Sequence, residues 1–462
     1  MNIAEEIFRN ANPDALAVVD RGVSHTYGIL DTVSARVAEE LSQKHNLDSH
    51  ARIGLRCRDG FHYVALSLGI LRANACFVPI GPEASASEQN ALVKSLHLHG
   101  IMTGSEESGH FTFETIRVER ELPWQKEFEE LNPALIRFSS GTTGDSKGVL
   151  LSHETICARV AAANAGLQIG ASDRVLWVLG MSHHFAVSIL LYLWNGAAIV
   201  IPETHLAEDL LAAANTHGAT VLYASPFHYI LLTAGNEKIH WPSLRLAVST
   251  TAALPEDVAR RFADACGIYP AQALGIIEVG LPFLNHFEPE KRHDSIGRPQ
   301  PSFEVRLLSN DGQPTEPGTP GHLLIKGLGL FDAYIDPWKS RTAALRDGEW
   351  FSSGDLASID GDGYYYIQGR SKTVINIGGM KFFPEEVENL LCSHPSVTEA
   401  RVSCRQHAHF GSISIAEVVA SNVTSAELLG HCRRNLARYK IPAEIVFVDS
   451  IPKTPSGKIL RR

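Results

Sequence analysis

The stretch VLWVLGMSHHFAVSILLYLWNGAAIVIPETHLAEDLLAAANTHG, residues 175–218, decides the architecture. VLWVLG (175–180) is an apolar run of strand length, and HFAVSILLYLW (184–194) has the length and apolar density of a helix. AAIVI (197–201) is a second strand, and AEDLLAAANTHG (207–218) is a second helix stopped by glycine. The unit then repeats through ATVLYASP, a helical stretch, LRLAVST and PEDVARRFADACG, with Pro255 in the first turn of the last helix. Near-continuous apolar strands between amphipathic helices predict a parallel sheet covered on both faces. The first 100 residues read similarly: ARIGLRCR, a helix around 62–73, then ACFVPI.

At 462 residues the chain exceeds one ordinary core, so two or more domains are expected. After about residue 300 the text changes to alternating strand and turn signals, SFEVRLLSNDGQPTEPGTPGHLLIKG, which suit a β-rich subdomain over about 300–369. A further change near GRSK (369–372) leads to PEEVENLLCSHP, a helix with proline at its start. This divides the chain into an N-terminal core over 1–369 and a small α+β C-terminal domain over 370–462.

Composition excludes several classes. The net charge of −10 argues against a nucleic-acid surface. No apolar run is long enough to span a membrane, and MNIAEEIFRNANPD has no basic start or apolar signal core, so a cytoplasmic protein is expected. The seven cysteines are scattered and odd in number, which suggests reduced thiols. Cys404, His407 and His409 have loosely metal-like spacing, but no second ligand cluster lies near and they read as a surface loop.

SSGTTGDSKG (139–148) carries the chemistry. The nucleotide loop G-x-x-x-x-G-K-[ST] is not met, because Ser146 stands at the second glycine position and Gly148 follows Lys147. The physical ingredients of a phosphate cradle are present all the same: glycines for close backbone approach, hydroxyls, a lysine, and a helix starting at about His153. Thr142 or Thr143 is available to a magnesium ion.

Read with the rest of the chain, SSGTTGDSKGVLLSH resembles the signature loop of the acyl-adenylate-forming superfamily, which includes acyl-CoA synthetases, aryl-acid ligases and adenylation domains. WFSSGDLA (350–357), GRSKTVINIGGMKFFPEEVE (369–388) and PKTPSGKILRR (452–462) resemble its later motifs, in order, so the resemblance covers nearly the whole chain. It implies an α/β fold: a large N-terminal domain of mixed, largely parallel sheets covered by helices, a β-subdomain, and a small mobile C-terminal domain. It also implies ATP and Mg. Ser140, Thr142, Thr143 and Lys147 would hold the β/γ-phosphates. Asp355 would grip the ribose hydroxyls, with Arg370 as a second ribose contact. Lys458 would bridge carboxylate and α-phosphate, Lys372 would be the hinge, and the turn at Gly378 and Gly379 would pass a thiol arm. Glu278, in ALGIIEVG (273–280), matches the magnesium partner, with Thr142 as its companion.

Departures from the family pattern accompany these matches. Gly275 agrees, but Leu274 replaces the aromatic residue that packs on adenine, and Ile277 replaces a threonine that contacts phosphate. STTAAL (249–254) has Thr250 and Thr251 where the family has glycines. Lost stacking and a lost hydrogen bond each cost on the order of 1 kcal/mol, so weaker ATP affinity is expected rather than lost activity.

The segment His184-Phe185-Ala186-Val187-Ser188 lacks the Asp that pairs a substrate ammonium in amino-acid-activating relatives, which favours an acid without an α-amino group. His184 aligns with the gate beside the carboxylate. Phe185, Ser188, Ser225, Ser249, Ile276 and Leu281 are expected to line the acid pocket, for an aryl or fatty acid. CoA, the thiol of an acyl carrier protein, or an amine would each fit as acceptor. A non-catalytic nucleotide-binding descendant shares the departures but not the retention of Lys458, Asp355, Arg370 and Glu278.

Overall fold

The computed structural model describes the chain except for residues 46, 83, 85, 106–110, 119–121, 139–146, 236–237, 371–372, 374, 378–379, 408–410, 454–458 and 462. The chain divides into two compact units. One comprises residues 1–139, 146–304 and 325–351; the other comprises 140–145, 305–324 and 352–462.

The first unit is built on two sheets. In the nine-stranded sheet, six strands run parallel in the order Ala271–Ile276, Leu246–Ser249, Val221–Ala224, Arg174–Trp177, Ala198–Ile201 and Leu16–Asp20. Antiparallel strands Gly280–Asn285 and Val23–Thr26 flank them. Every residue of Val221–Ala224 and Ala198–Ile201 is buried, as strands covered on both faces require. The eight-stranded sheet has a parallel centre formed by Pro133–Phe138, Cys76–Ile80, Arg52–Arg56 and Gly100–Gly104. Gly148–Ser152 pairs antiparallel with Pro133–Phe138, so the 139–148 run joins two neighbouring strands.

The helices follow the apolar spacing read from the sequence, with three differences. Pro255 is the N-cap of the Glu256–Cys266 helix rather than a residue of its first turn. The 184–194 helix starts earlier, at Met181, and passes through a π-helical turn at Phe185–Ile189 before it resumes as Leu190–Trp194. Cys404 and His407 lie on a strand, Val397–His407, and not on a loop; His409 lies outside the described residues. No group of metal-binding side chains forms among the described residues, the seven cysteines form no disulfide, and no described helix is long and apolar enough to cross a membrane.

Most residues of a four-stranded sheet ordered Phe303–Leu308, Gly321–Gly327, Phe351–Ile359 and Tyr365–Arg370 fall in the second unit. A three-stranded sheet follows, in which the Val397–His407 and Gly411–Ala420 hairpin is joined by the parallel strand Glu444–Phe447. The helices Pro384–Cys392 and Ser425–Asn435 cover it, burying Val387, Leu391, Leu428 and Cys432 against Val402, Ala416 and Val418.

Candidate active site

Within the first unit, the Ile276–Val279 turn between two antiparallel strands presents Glu278. The turn is closed by the Val279 N–H donating to the Ile276 carbonyl at 2.9 Å. Arg159, 1 % exposed on the His153–Leu167 helix, ties this turn to a second segment. Its Nη1 donates to the Ile277 carbonyl at 2.7 Å, and its Nε donates to the Gly329 carbonyl at 2.5 Å. Gly329 sits at φ +76°, and a Cβ there would meet Arg159 Cγ at 2.5 Å, so this approach requires glycine. The Phe331 N–H donates to the Glu278 carbonyl at 2.8 Å, and buried Asp332 accepts from the Ser152 N–H at 2.6 Å.

This scaffold brings Tyr334 to Glu278. The Tyr334 hydroxyl donates to Glu278 Oε1 at 3.1 Å, and Lys147 Nζ lies 5.0 Å from the centroid of the same ring. Burial and the Glu278 carboxylate push the Tyr334 phenol far above its ordinary range, so it remains a donor. Two residues chosen by resemblance, Lys147 and Glu278, therefore meet around a third that sequence reasoning missed. AYIDP, around Tyr334, reads as a strand running into a proline. A tyrosine there is an ordinary strand residue until its partner, 56 positions away, is known.

Phe185 is buried, with its ring packed edge-on against Phe77 at 5.2 Å and Tyr63 at 5.9 Å. His184 is half-buried and faces Trp177 at 6.1 Å; Trp177 in turn stacks on Tyr223. A π-turn inserts one extra residue into the helical ladder, and such turns recur at functional sites. Leu281 and Ser188 are buried, and Ile276, Ile277 and Leu274 are half-buried. Ser249 is buried on the strand beside Ala224, with its hydroxyl unpartnered among the described residues. Ser225 is engaged instead with His228, Oγ to Nδ1 at 2.9 Å. Gly275 is exposed.

Thr250 is held by its N–H to the Ala224 carbonyl at 3.0 Å and by its hydroxyl to the Ala273 carbonyl at 3.3 Å. Thr251 follows at φ +77°, a left-handed conformation that a β-branched residue rarely adopts. Arg137, on the strand leading into the 139–148 run, is half-buried. Burial lowers its pKa to about 10, opposed by the Tyr63 hydroxyl and the Glu278 carboxylate.

In the second unit, Asp355 and Arg370 are cross-strand neighbours joined by an ion pair, Nε to Oδ1 at 2.8 Å. Asp355 is 5 % exposed, while the Arg370 side chain is 47 % exposed. Ser140, Thr142, Thr143, Lys372, Gly378, Gly379 and Lys458 lie outside the described residues. Outside the undescribed residues 454–458, Lys453 and Ile459 form an antiparallel bridge, and the Leu460 N–H donates to the Pro452 carbonyl at 2.9 Å.

The AMP-binding enzyme family model matches residues 6–335, and the model of the C-terminal domain of AMP-binding enzymes matches residues 386–458. The sulfoacetate–CoA ligase of Cupriavidus necator is 34% identical over 337 residues, covering 71% of this chain and 66% of that protein. A feruloyl-CoA synthase from Streptomyces is 30% identical over 336 residues, covering 71% and 68%. The chain thus spans about two thirds of the length of these curated relatives.

Among solved structures, ATP-bound MatB from Rhodopseudomonas palustris superposes with a TM-score of 0.88 at 23% identity, covering 100% of this chain and 97% of that one. The o-succinylbenzoate CoA synthetase of Bacillus subtilis, in complex with its acyl-adenylate intermediate, gives 0.87 at 24% identity, with the same coverage. At these identities the superpositions speak for the fold, whereas the family models speak for descent. The chain belongs to the AMP-binding, acyl-adenylate-forming enzyme family.

Proposed function

We propose that this protein activates a carboxylic acid lacking an α-amino group, aryl or fatty, as an acyl-adenylate and passes the acyl group to a thiol, that of CoA or of an acyl carrier protein. The relatives named above are, by their names, a CoA ligase and a CoA synthase, which favours CoA. The cluster of Lys147, Tyr334 and Glu278 carries the reading, because it gathers a cation and a carboxylate about one tyrosine, and the cation ends a glycine- and hydroxyl-rich run of sequence. In the first half-reaction a carboxylate oxygen attacks the α-phosphorus of ATP and pyrophosphate leaves. In the second the thiolate attacks the acyl carbonyl and AMP leaves. Such steps depend on positioning and charge neutralisation.

Glu278 suits a magnesium ion: Oε1 is oriented by Tyr334, and a hard carboxylate is the donor type the ion prefers. When bound, the ion would neutralise phosphate charge. Lys147, with Ser140, Thr142 and Thr143, would hold the β- and γ-phosphates. Asp355 would accept from the ribose hydroxyls, and Arg370, its ion-pair partner, would orient it. Lys458 would neutralise charge between the carboxylate and the α-phosphate, and His184 would stand beside the acid. Leu274, Gly275, Ile277 and Thr251 would border the nucleotide.

Acid-dependent exchange of labelled pyrophosphate into ATP tests the reading across aryl, short, long-chain and amino acids. Lys458→Ala should lower the exchange by roughly 100-fold or more. Exchange equal in wild type and variant, or seen only with amino acids, would overturn it.

A further inference from the structure

The chemistry proposed above employs Lys147 and Lys458 and has no role for Arg137. Along the Pro133–Phe138 strand, Ile136 turns into the cluster formed with Val78, Ile80, Leu150 and Ile335. Alternation therefore puts Arg137 on the opposite face, with Leu135. Leu135 is in register with Phe77, whose ring packs edge-on against Tyr63 at 6.3 Å and Phe185 at 5.2 Å. Arg137 thus belongs to the face that carries the expected pocket residue Phe185. The opposing groups it senses are the Tyr63 hydroxyl and the Glu278 carboxylate.

Neither group binds it: among the described residues, no hydrogen bond and no ion pair holds the Arg137 guanidinium. The Tyr63 hydroxyl is sealed from solvent and is also without a partner. With its pKa still near 10, Arg137 is charged at neutral pH. A half-buried cation with no bonded counter-ion among the described residues costs folding free energy, and so does an unmet buried hydroxyl. Such costs persist where a ligand supplies the missing partner. Guanidinium presents a planar fork of donors, and its natural complement is an oxyanion with two or three equivalent oxygens.

We propose that Arg137 determines acid specificity by pairing a second anionic group, carboxylate or sulfonate, carried by a short or aryl acid whose other carboxylate is activated. This rests on the adenylation reading and narrows its substrate class to doubly anionic acids. Tyr63 supplies a neutral hydrogen bond to the same group, and Phe77 and Phe185 form the apolar wall beside it.

The test is pyrophosphate exchange with pairs that differ only in the second charge: succinate against levulinate, sulfoacetate against methylsulfonylacetate, isophthalate against its methyl ketone isostere. Wild type should favour at least one dianion over its isostere by roughly 10–100-fold in kcat/KM. Arg137→Gln should erase that preference while changing the isostere by less than about 3-fold, and Arg137→Lys should restore part of it. Arg137→Met provides a readout independent of turnover. If the cation serves a ligand, this variant unfolds at a higher temperature than wild type, and the preferred dianion raises the melting temperature of wild type only.

Monoanions that exchange as well as or better than their dianions would overturn the inference and leave adenylation standing. A uniform loss in Arg137→Gln, with a changed magnesium dependence, would also overturn it and assign the cation to Glu278 instead. Exchange with none of the acids would count against both readings.

Discussion

At the scale of the residue, Thr251 shows what a backbone angle adds to a side-chain identity. Sequence comparison marks it as a threonine where the family has glycine; the structure adds that the backbone retains φ +77°. The neighbouring Thr250 is anchored to two strands, so the chain cannot relax there by shifting. A β-branched residue in this region costs about 1–2 kcal/mol. Thr251→Gly should therefore stabilise the first unit by roughly 1 kcal/mol, read as a higher urea midpoint. A lower midpoint would show that the threonine side chain makes a compensating contact. Gly329 is the converse case, a positive-φ position where glycine is kept because Arg159 lies against it.

At the scale of the element, a buried ion pair ties residue 461 to the Pro384–Cys392 helix. Glu388, 6 % exposed on the Pro384–Cys392 helix, accepts the Val402 N–H at 2.7 Å and a bidentate pair from Arg461 at 2.7 and 2.6 Å. Arg401 donates to the Leu460 carbonyl at 2.8 Å, and Lys453 and Ile459 form an antiparallel bridge. If Lys458 acts as proposed, Arg461 anchors the chain just beyond it and serves as a positioning residue. Arg461→Ala leaves Glu388 buried with half its partners and should destabilise the second unit by about 3 kcal/mol. Pyrophosphate exchange should fall about 10-fold in kcat, with the KM for ATP nearly unchanged. Equal losses in kcat and in affinity for ATP would refute the positioning role. The helix here was legible from its proline start and its apolar spacing. The clamp was not, because Glu388 and Arg461 are 73 positions apart and each reads as an ordinary charged residue.

At the scale of the whole molecule, three histidines are expected to limit stability in acid. His153 accepts the Ile3 N–H at 3.1 Å, His99 accepts the Arg52 N–H at 3.0 Å, and His228 is bonded to Ser225. Burial holds each of the three near a pKa of 4, below the ordinary 6.5. The unfolded chain therefore binds more protons than the native one between these values. The stabilisation is complete above about pH 6.5 and is lost as pH falls towards 4. The melting temperature should decline steadily across that window. A flat profile would show that these rings are already charged in the native protein.

The sequence by itself determined the alternating α/β order, the change of texture after about 300, and the family, because periodicity and ordered motifs are local properties of the chain. It also picked out Lys147, Glu278, Asp355 and Arg370 as candidates. Only the tertiary structure decided which of them meet. Arg159 holds the Ile277 and Gly329 carbonyls from 118 and 170 positions away, and this brings the Tyr334 hydroxyl to Glu278. It also set Arg137 and the Tyr63 hydroxyl, each without a hydrogen-bond partner among the described residues, on the face that carries Phe185. The reason is physical: a side chain's partner across a sheet or between loops is set by how layers pack, and no periodicity along the chain records that distance.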